Sequence, residues 1–152
     1  MYDLTVKQKQ LQASASEFAK KEIAPSAAEV DRTEKYPWKN VELLTNQGFM
    51  GMTIPKEYGG KGMTYLDTIL VIEEIAKACG VTARIVVEAN MGAIGAVMKY
   101  GTEVQKKLAA EHVLSGDKPA ICITEPEAGS AATEMTTRAD HKGDRYILNG
   151  IK

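Results

Sequence analysis

Two groups of residues in this chain combine types and spacing that could do chemistry. The first is Arg84, followed four positions on by Glu88, inside the apolar stretch Val81-Thr-Ala-Arg-Ile-Val-Val-Glu-Ala-Asn90. Four positions are one helical turn, so the two side chains share a face and can pair. The simpler reading is a salt bridge at the exposed end of a helix. The functional reading is an anion site, because a guanidinium offers two parallel N–H donors to an oxyanion. The second group lies in Ala120-Ile-Cys-Ile-Thr-Glu-Pro-Glu-Ala-Gly-Ser130. A strand-like apolar run, Ile121, Cys122 and Ile123, passes into Thr124-Glu125-Pro126 and turns at Ala128-Gly129-Ser130. Free backbone N–H groups and the Thr124 and Ser130 hydroxyls would make a polar cradle beside an apolar wall. The simpler reading is a strand and a surface turn. The functional reading is a seat for a flat ring with polar edges and a pyrophosphate, as in a flavin.

Other chemistries find less support. Cys79 and Cys122 read as a reduced cytosolic pair. Neither has metal-ligand spacing with His112 or His141, and no metal site is expected. His112 reads as partly buried on a surface helix, and His141 as solvated in a turn. No Ser-His-Asp arrangement is readable. The 152 residues carry a formal net charge of −1, which leaves no electrostatic footprint for nucleic acid. Apolar content is 44%, ordinary for a globular protein. No apolar run is expected to span a bilayer, and the first residues lack a secretory pattern.

The elements that must position these residues follow from periodicity and punctuation. Thr5 caps a helix over 5–22, with Pro25 beyond its end. Residues 26–30 form a short further turn, and 31–36 are irregular. Pro37 starts a helix over 38–47, which Gly48 stops. A glycine-rich loop over 48–62 follows. Thr64 and Asp67 cap a helix that runs through Cys79 and ends at Gly80. Residues 82–100 form one helix, apolar on nearly every face and therefore buried. Thr102 and Gln105 form a capping box for a last helix through Leu114, stopped by Gly116. The pattern then switches to period two: a strand over 121–124, and a hairpin of 133–139 and 145–149 turning at 141–144. The fold class is α+β, with a helical domain over 1–117 and the start of a β domain over 118–152.

Thr124-Glu125-Pro126 with Ala128-Gly129-Ser130 resembles the first signature of the acyl-CoA dehydrogenase family. Ile121 stands where the family has an aromatic residue, Glu127 follows the proline, and Ala131 replaces an Asp. The run Ile54-Pro55-Lys56-Glu57-Tyr58-Gly59-Gly60 resembles the family element that closes the second helical region, and Glu88-Ala-Asn90-Met-Gly92 resembles another. The resemblance covers the whole chain but less than half of a typical member. It implies an all-α N-terminal domain followed by the first strands of a β-barrel domain. The chain therefore reads as the front part of a longer protein, inactive alone.

The resemblance also implies FAD and an acyl-CoA substrate. Ile121, Cys122, Ile123 and Thr124 would contact the isoalloxazine, with Thr124 bonded to its pyrimidine edge. Ser130 would reach the pyrophosphate region or the pantetheine arm of CoA. The helix carrying Arg84 would line the far end of the acyl pocket. A straight fatty chain wants no cation there, whereas a short acyl group ending in a carboxylate or sulfinate does. Arg84 is thus expected to bind substrate and act in catalysis, with Glu88 orienting it. The expected reaction is cleavage of a carbon–sulfur bond. The alternative is oxidation of a short acyl-CoA with hydride transfer to FAD. A third reading is a non-catalytic interaction module. A cytoplasmic homotetramer is the implied assembly, with no membrane or nucleic-acid partner.

Overall fold

The computed structural model describes residues 3–117 and 120–152. The chain divides into two compact units, Met1–Ala120 and Ile121–Lys152. The expected domain boundary between 117 and 118 abuts residues 118–119, which lie outside the described residues.

The first unit is helical. Helix α1 (Val6–Phe18) starts at Thr5, whose Oγ1 accepts from the Gln8 amide at 3.2 Å while Gln8 Oε1 accepts from the Thr5 amide at 3.0 Å. These reciprocal bonds satisfy amides that lack helical partners. The expected end near residue 22 is overturned. A π-turn, Ala19–Ile23, leads directly into α2 (Ala24–Thr33), which carries Pro25 in its first turn. The wider turn pairs the Ala24 amide with the Ala19 carbonyl. It accommodates a proline that has no N–H to offer, where an unbroken α-helix would clash. Helix α2 stops at Glu34, whose φ of 54° is left-handed. Pro37 is the residue before α3 (Trp38–Gln47) rather than its first member, and its carbonyl accepts from the Asn40 amide at 2.9 Å. Gly48 ends α3 with φ 72°, as its sequence position predicts.

Helix α4 (Tyr65–Ala78) has the expected Thr64–Asp67 capping box, with Asp67 Oδ2 3.0 Å from the Thr64 amide. Gly80 does not end it. Cys79 alone is extended, and Gly80 opens the next helix, α5 (Gly80–Asn90). The expected single helix over 82–100 is two: Met91 and Gly92 separate α5 from α6 (Ala93–Tyr100). The burial expected for it holds for one half only. Thr82, Ala83, Ile85, Val86, Ala89 and Asn90 of α5 are buried, whereas α6 buries Ile94 alone and leaves Tyr100 78% exposed. By length and composition Gly80–Tyr100 could cross a membrane, contrary to the expectation that no stretch would. The stretch is interrupted at Met91-Gly92, and mainly its first half, α5, packs into the core of this unit. Helix α7 (Glu103–Leu114) follows the Thr102–Gln105 box, and Gly116, with φ 99°, comes just after its end.

The core of this unit joins Ile23, Leu44, Met52, Ile54, Val71, Ile75, Val86 and Val113, all at the limit of burial. Phe18 meets Phe49 edge to face, with centroids 5.3 Å apart. Two buried asparagines cross it. Asn40 Nδ2 donates to Thr82 Oγ1 at 2.9 Å. Asn90 Nδ2 donates to the Phe49 and Val86 carbonyls, and Asn90 Oδ1 accepts from the Thr53 amide, bolting the 48–62 loop to α5.

The second unit holds one antiparallel hairpin, β1 (Arg138–Lys142) and β2 (Arg145–Asn149), in register Arg138↔Asn149 to Lys142↔Arg145. The turn is Gly143-Asp144, with Gly143 at φ 65°. The first strand begins later than the expected 133–139, because Ala132–Glu134 is a 3₁₀ turn. The amides of Thr136 and Thr137 go to a carboxylate instead of a ladder. The expected strand at 121–124 is not formed: these residues belong to no regular element and have no paired neighbour among the described residues, and a strand requires one.

Candidate functional site

The first candidate lies on α5. Its buried positions turn Arg84 outward, with the side chain 71% exposed, while Glu88 beneath it is only 12% exposed. Arg84 Nη2 and Glu88 Oε1 form an ion pair, and buried Glu88 Oε2 has no hydrogen-bond partner among the described residues. The expected partnership is therefore present. Glu88 engages one amino group of the guanidinium, and the remaining donors of the fork are open to another anion. An ion pair with one exposed partner adds only about 0–1 kcal/mol to stability. Its physical effect is orientation: a long, rotamer-rich side chain is tethered at one edge.

The second candidate is the loop of the second unit. Ile121, Cys122, Ile123, Thr124 and Ser130 are all exposed. The amides of residues 121–124 donate to no other group among the described residues. Glu125 and Ala128 exchange backbone bonds at 3.0 and 3.1 Å, closing the Pro126-Glu127 turn. Open amides flanked by two hydroxyls and apolar side chains are a donor set that fits the polar edge and ring of a flavin.

Sequence reasoning missed the residue that organises this loop. Glu125 is buried, its side chain 4% exposed. One oxygen accepts from the Thr136 amide at 2.7 Å and the Thr136 hydroxyl at 3.0 Å. The other accepts from the Thr137 amide at 2.9 Å and from Lys152 Nζ at 3.0 Å. The Thr137 hydroxyl beside it, these amides and Lys152 hold its carboxyl well below the usual carboxylate range. In a unit of this size the shielding comes from that thin shell of partners, not from a deep core. Gly150 closes over the shell, where any Cβ would fall 2.1 Å from Thr137 Oγ1. No spacing rule links positions 125, 136 and 152. The only signal was a carboxylate placed between two candidate ligand-contacting hydroxyls.

The remaining expectations sort simply. Cys79 and Cys122 are free thiols. His112 is exposed rather than partly buried, 3.7 Å from Asp117. His141 is exposed but sits in β1 opposite Tyr146, not in the turn. Among the described residues, no group of three His, Cys, Asp or Glu could hold a metal ion.

The chain matches the family described as acyl-CoA dehydrogenase, N-terminal domain, over residues 5–117, and it belongs to that family. It is 69% identical to a 3-sulfinopropanoyl-CoA desulfinase of Cupriavidus necator across all 152 residues, which are 38% of that protein's length. Among solved structures, it is similar to that of the glutaryl-coenzyme A dehydrogenase glutaryl-CoA complex, with TM-score 0.90 and 32% identity. That match covers 99% of this chain and 39% of the other. It is also similar to a glutaryl-CoA dehydrogenase from Mycobacterium smegmatis in complex with FADH2, with TM-score 0.86 and 25% identity, covering 97% of this chain and 38% of the other. The mostly helical front unit followed by a two-stranded antiparallel sheet is the architecture these structures share with it.

Proposed function

We propose that this chain is the front part of a FAD-containing 3-sulfinopropanoyl-CoA desulfinase. The observation that carries the reading is Arg84, held outward on α5 by a mostly buried Glu88, in a chain 69% identical over its whole length to such an enzyme. In the overall reaction the carbon–sulfur bond of the substrate breaks with the addition of water. The carbon gains a hydrogen, the sulfur leaves as sulfite bearing the hydroxyl, and propanoyl-CoA remains. This makes the reaction a hydrolysis.

Arg84 binds the sulfinate end through its open donors and holds the charge on its oxygens in place while the carbon–sulfur electron pair passes to carbon and the sulfur takes up the hydroxyl. Glu88 keeps the fork aimed. Thr124 and the open amides of 121–124 hold the polar edge of the cofactor, while Ile121 and Ile123 give its ring an apolar wall. Ser130 binds the pyrophosphate region or the pantetheine arm. FAD, when bound, supplies an electron-accepting ring that undergoes no net reduction in this reaction. The assembly we propose is a cytoplasmic homotetramer with neither membrane nor nucleic acid as partner, and the chain alone is inactive because later residues complete the site.

The test is sulfite release from 3-sulfinopropanoyl-CoA by the full-length protein and its Arg84→Ala variant. Undiminished release by the variant sinks the reading. The second reading, oxidation of a short acyl-CoA, draws on the likeness to dehydrogenase structures. It predicts that short acyl-CoAs bleach the flavin absorbance, which desulfination does not.

A further inference from the structure

The loop that offers open amides is pinned by a residue far along the chain. Lys152 Nζ donates to the Ile123 carbonyl at 2.8 Å and pairs with Glu125 Oε1 at 3.0 Å. Both Glu125 oxygens are already committed to Thr136 and Thr137, so the carboxylate cannot swing and the ammonium cannot follow it elsewhere. A planar trans peptide points its N–H away from its C=O. Capture of the Ile123 carbonyl on the Lys152 side therefore fixes the Thr124 amide on the opposite side. Thr124 stays exposed with an open N–H, next to a residue locked in place.

We propose that Glu125 and Lys152 form a positioning clasp that sets the Ile123–Thr124 peptide plane, and with it the Thr124 donors, for the flavin edge. The proposal rests on the flavin reading given above. Anchoring the hairpin requires only the bonds from Thr136 and Thr137 to Glu125. The reach of Lys152 to the Ile123 carbonyl adds nothing to that anchor, and it is the part of the clasp that a merely structural role leaves unexplained. Neither residue touches the cofactor in this scheme; both act through the peptide between Ile123 and Thr124.

The experiment compares the full-length protein with its K152M and K152R variants after removal of flavin. FAD is titrated back, its dissociation constant measured by fluorescence, and the visible circular dichroism of the bound flavin recorded. K152M, which keeps the stem and loses the charged donor, is expected to bind FAD about tenfold more weakly, the equivalent of one charged hydrogen bond. Its flavin spectrum is expected to differ, and K152R to recover most of both properties. If K152M does not fold, K152Q, which keeps a neutral donor, carries the same comparison. A parent protein that takes up no FAD overturns the flavin reading and the clasp with it. A parent that binds FAD beside a variant of equal affinity and identical spectrum overturns the clasp alone, even if that variant melts earlier.

Discussion

Two acid–base pairs sit in this chain with opposite surroundings. In Arg84–Glu88 the base is 71% exposed and the acid mostly buried. In Lys152–Glu125 the base is 25% exposed and the acid 4%. The first leaves guanidinium donors unused. The second commits both carboxylate oxygens and the ammonium to neighbours. Burial with full hydrogen bonding makes a structural clamp, whereas a tethered and exposed base makes a binding group. A cation–carboxylate pair is thus closed off in one unit and leaves its cation open to solvent in the other.

The largest expected effect breaks the presenting pair. Arg84→Ala in the full-length protein should lower desulfination by about 10²–10³-fold in kcat, the size seen when a single charge-stabilising donor is removed. Sulfite release measures it. Lysine at this position should recover little, since a point charge lacks the planar fork. Full rescue by lysine would reduce Arg84 to a simple surface cation.

The next effect concerns a neutral group on the same helix. Asn90→Ala should destabilise the protein by about 2–3 kcal/mol in urea unfolding, because it strips the Phe49 and Val86 carbonyls and the Thr53 amide of their partner in a buried place. Six positions separate Asn90 from Arg84, and the ordering of their stability effects should be the reverse of their effects on catalysis. A loss below half a kcal/mol for Asn90→Ala would mean that the 48–62 loop is held by its apolar residues and by the Thr53 hydroxyl on the Asn90 backbone carbonyl, without need of the Asn90 side chain.

These contrasts show how much the sequence revealed. Thr5, Thr64 and Thr102 were readable as caps because a cap needs only a hydroxyl and a partner three residues on. Gly48 was readable for the same local reason. Pro25 and Gly80 misled, because each is compatible with two structures. A proline ends an ordinary helix but fits after a π-turn, and a glycine can begin a helix when the preceding residue alone makes the bend. The candidate residues Arg84, Glu88, Thr124 and Ser130 stood out as chemical types in local patterns. Glu125 and Lys152 did not, since their role depends on positions up to 29 residues apart that only folding brings together.

The clamp should show itself in acid. Glu125 is held below its ordinary value of 4.5, first by Thr137 and then by the Thr136 amide. A carboxyl depressed in the folded state contributes its full stability above the unfolded value and loses it as pH falls toward the folded one. The parent protein should therefore lose melting temperature below about pH 4.5 more steeply than Glu125→Gln, which has no charge to lose. Asp67, Glu74 and Glu103 are depressed as well, so the difference between the two proteins, not the slope of either, reports on Glu125. Parallel curves would show that the clamp works equally well without its charge.

The smallest expected effect sharpens the comparison most. Arg84→Ala should change thermodynamic stability by less than about 0.5 kcal/mol, since the exposed guanidinium gains little Coulomb energy in water and is freed of its ordering cost when removed. The buried Glu88 carboxylate sets the sign. Its Oε2 already lacks a partner, and without Arg84 its Oε1 loses one too. Arg84→Ala should therefore be slightly destabilising, while the double variant Arg84→Ala/Glu88→Gln should recover the difference by removing the stranded charge. A double-mutant cycle in urea reads this coupling directly. A coupling above about 2 kcal/mol would place Arg84–Glu88 in the same class as the clamp, and the division between a holding pair and a presenting pair would fall.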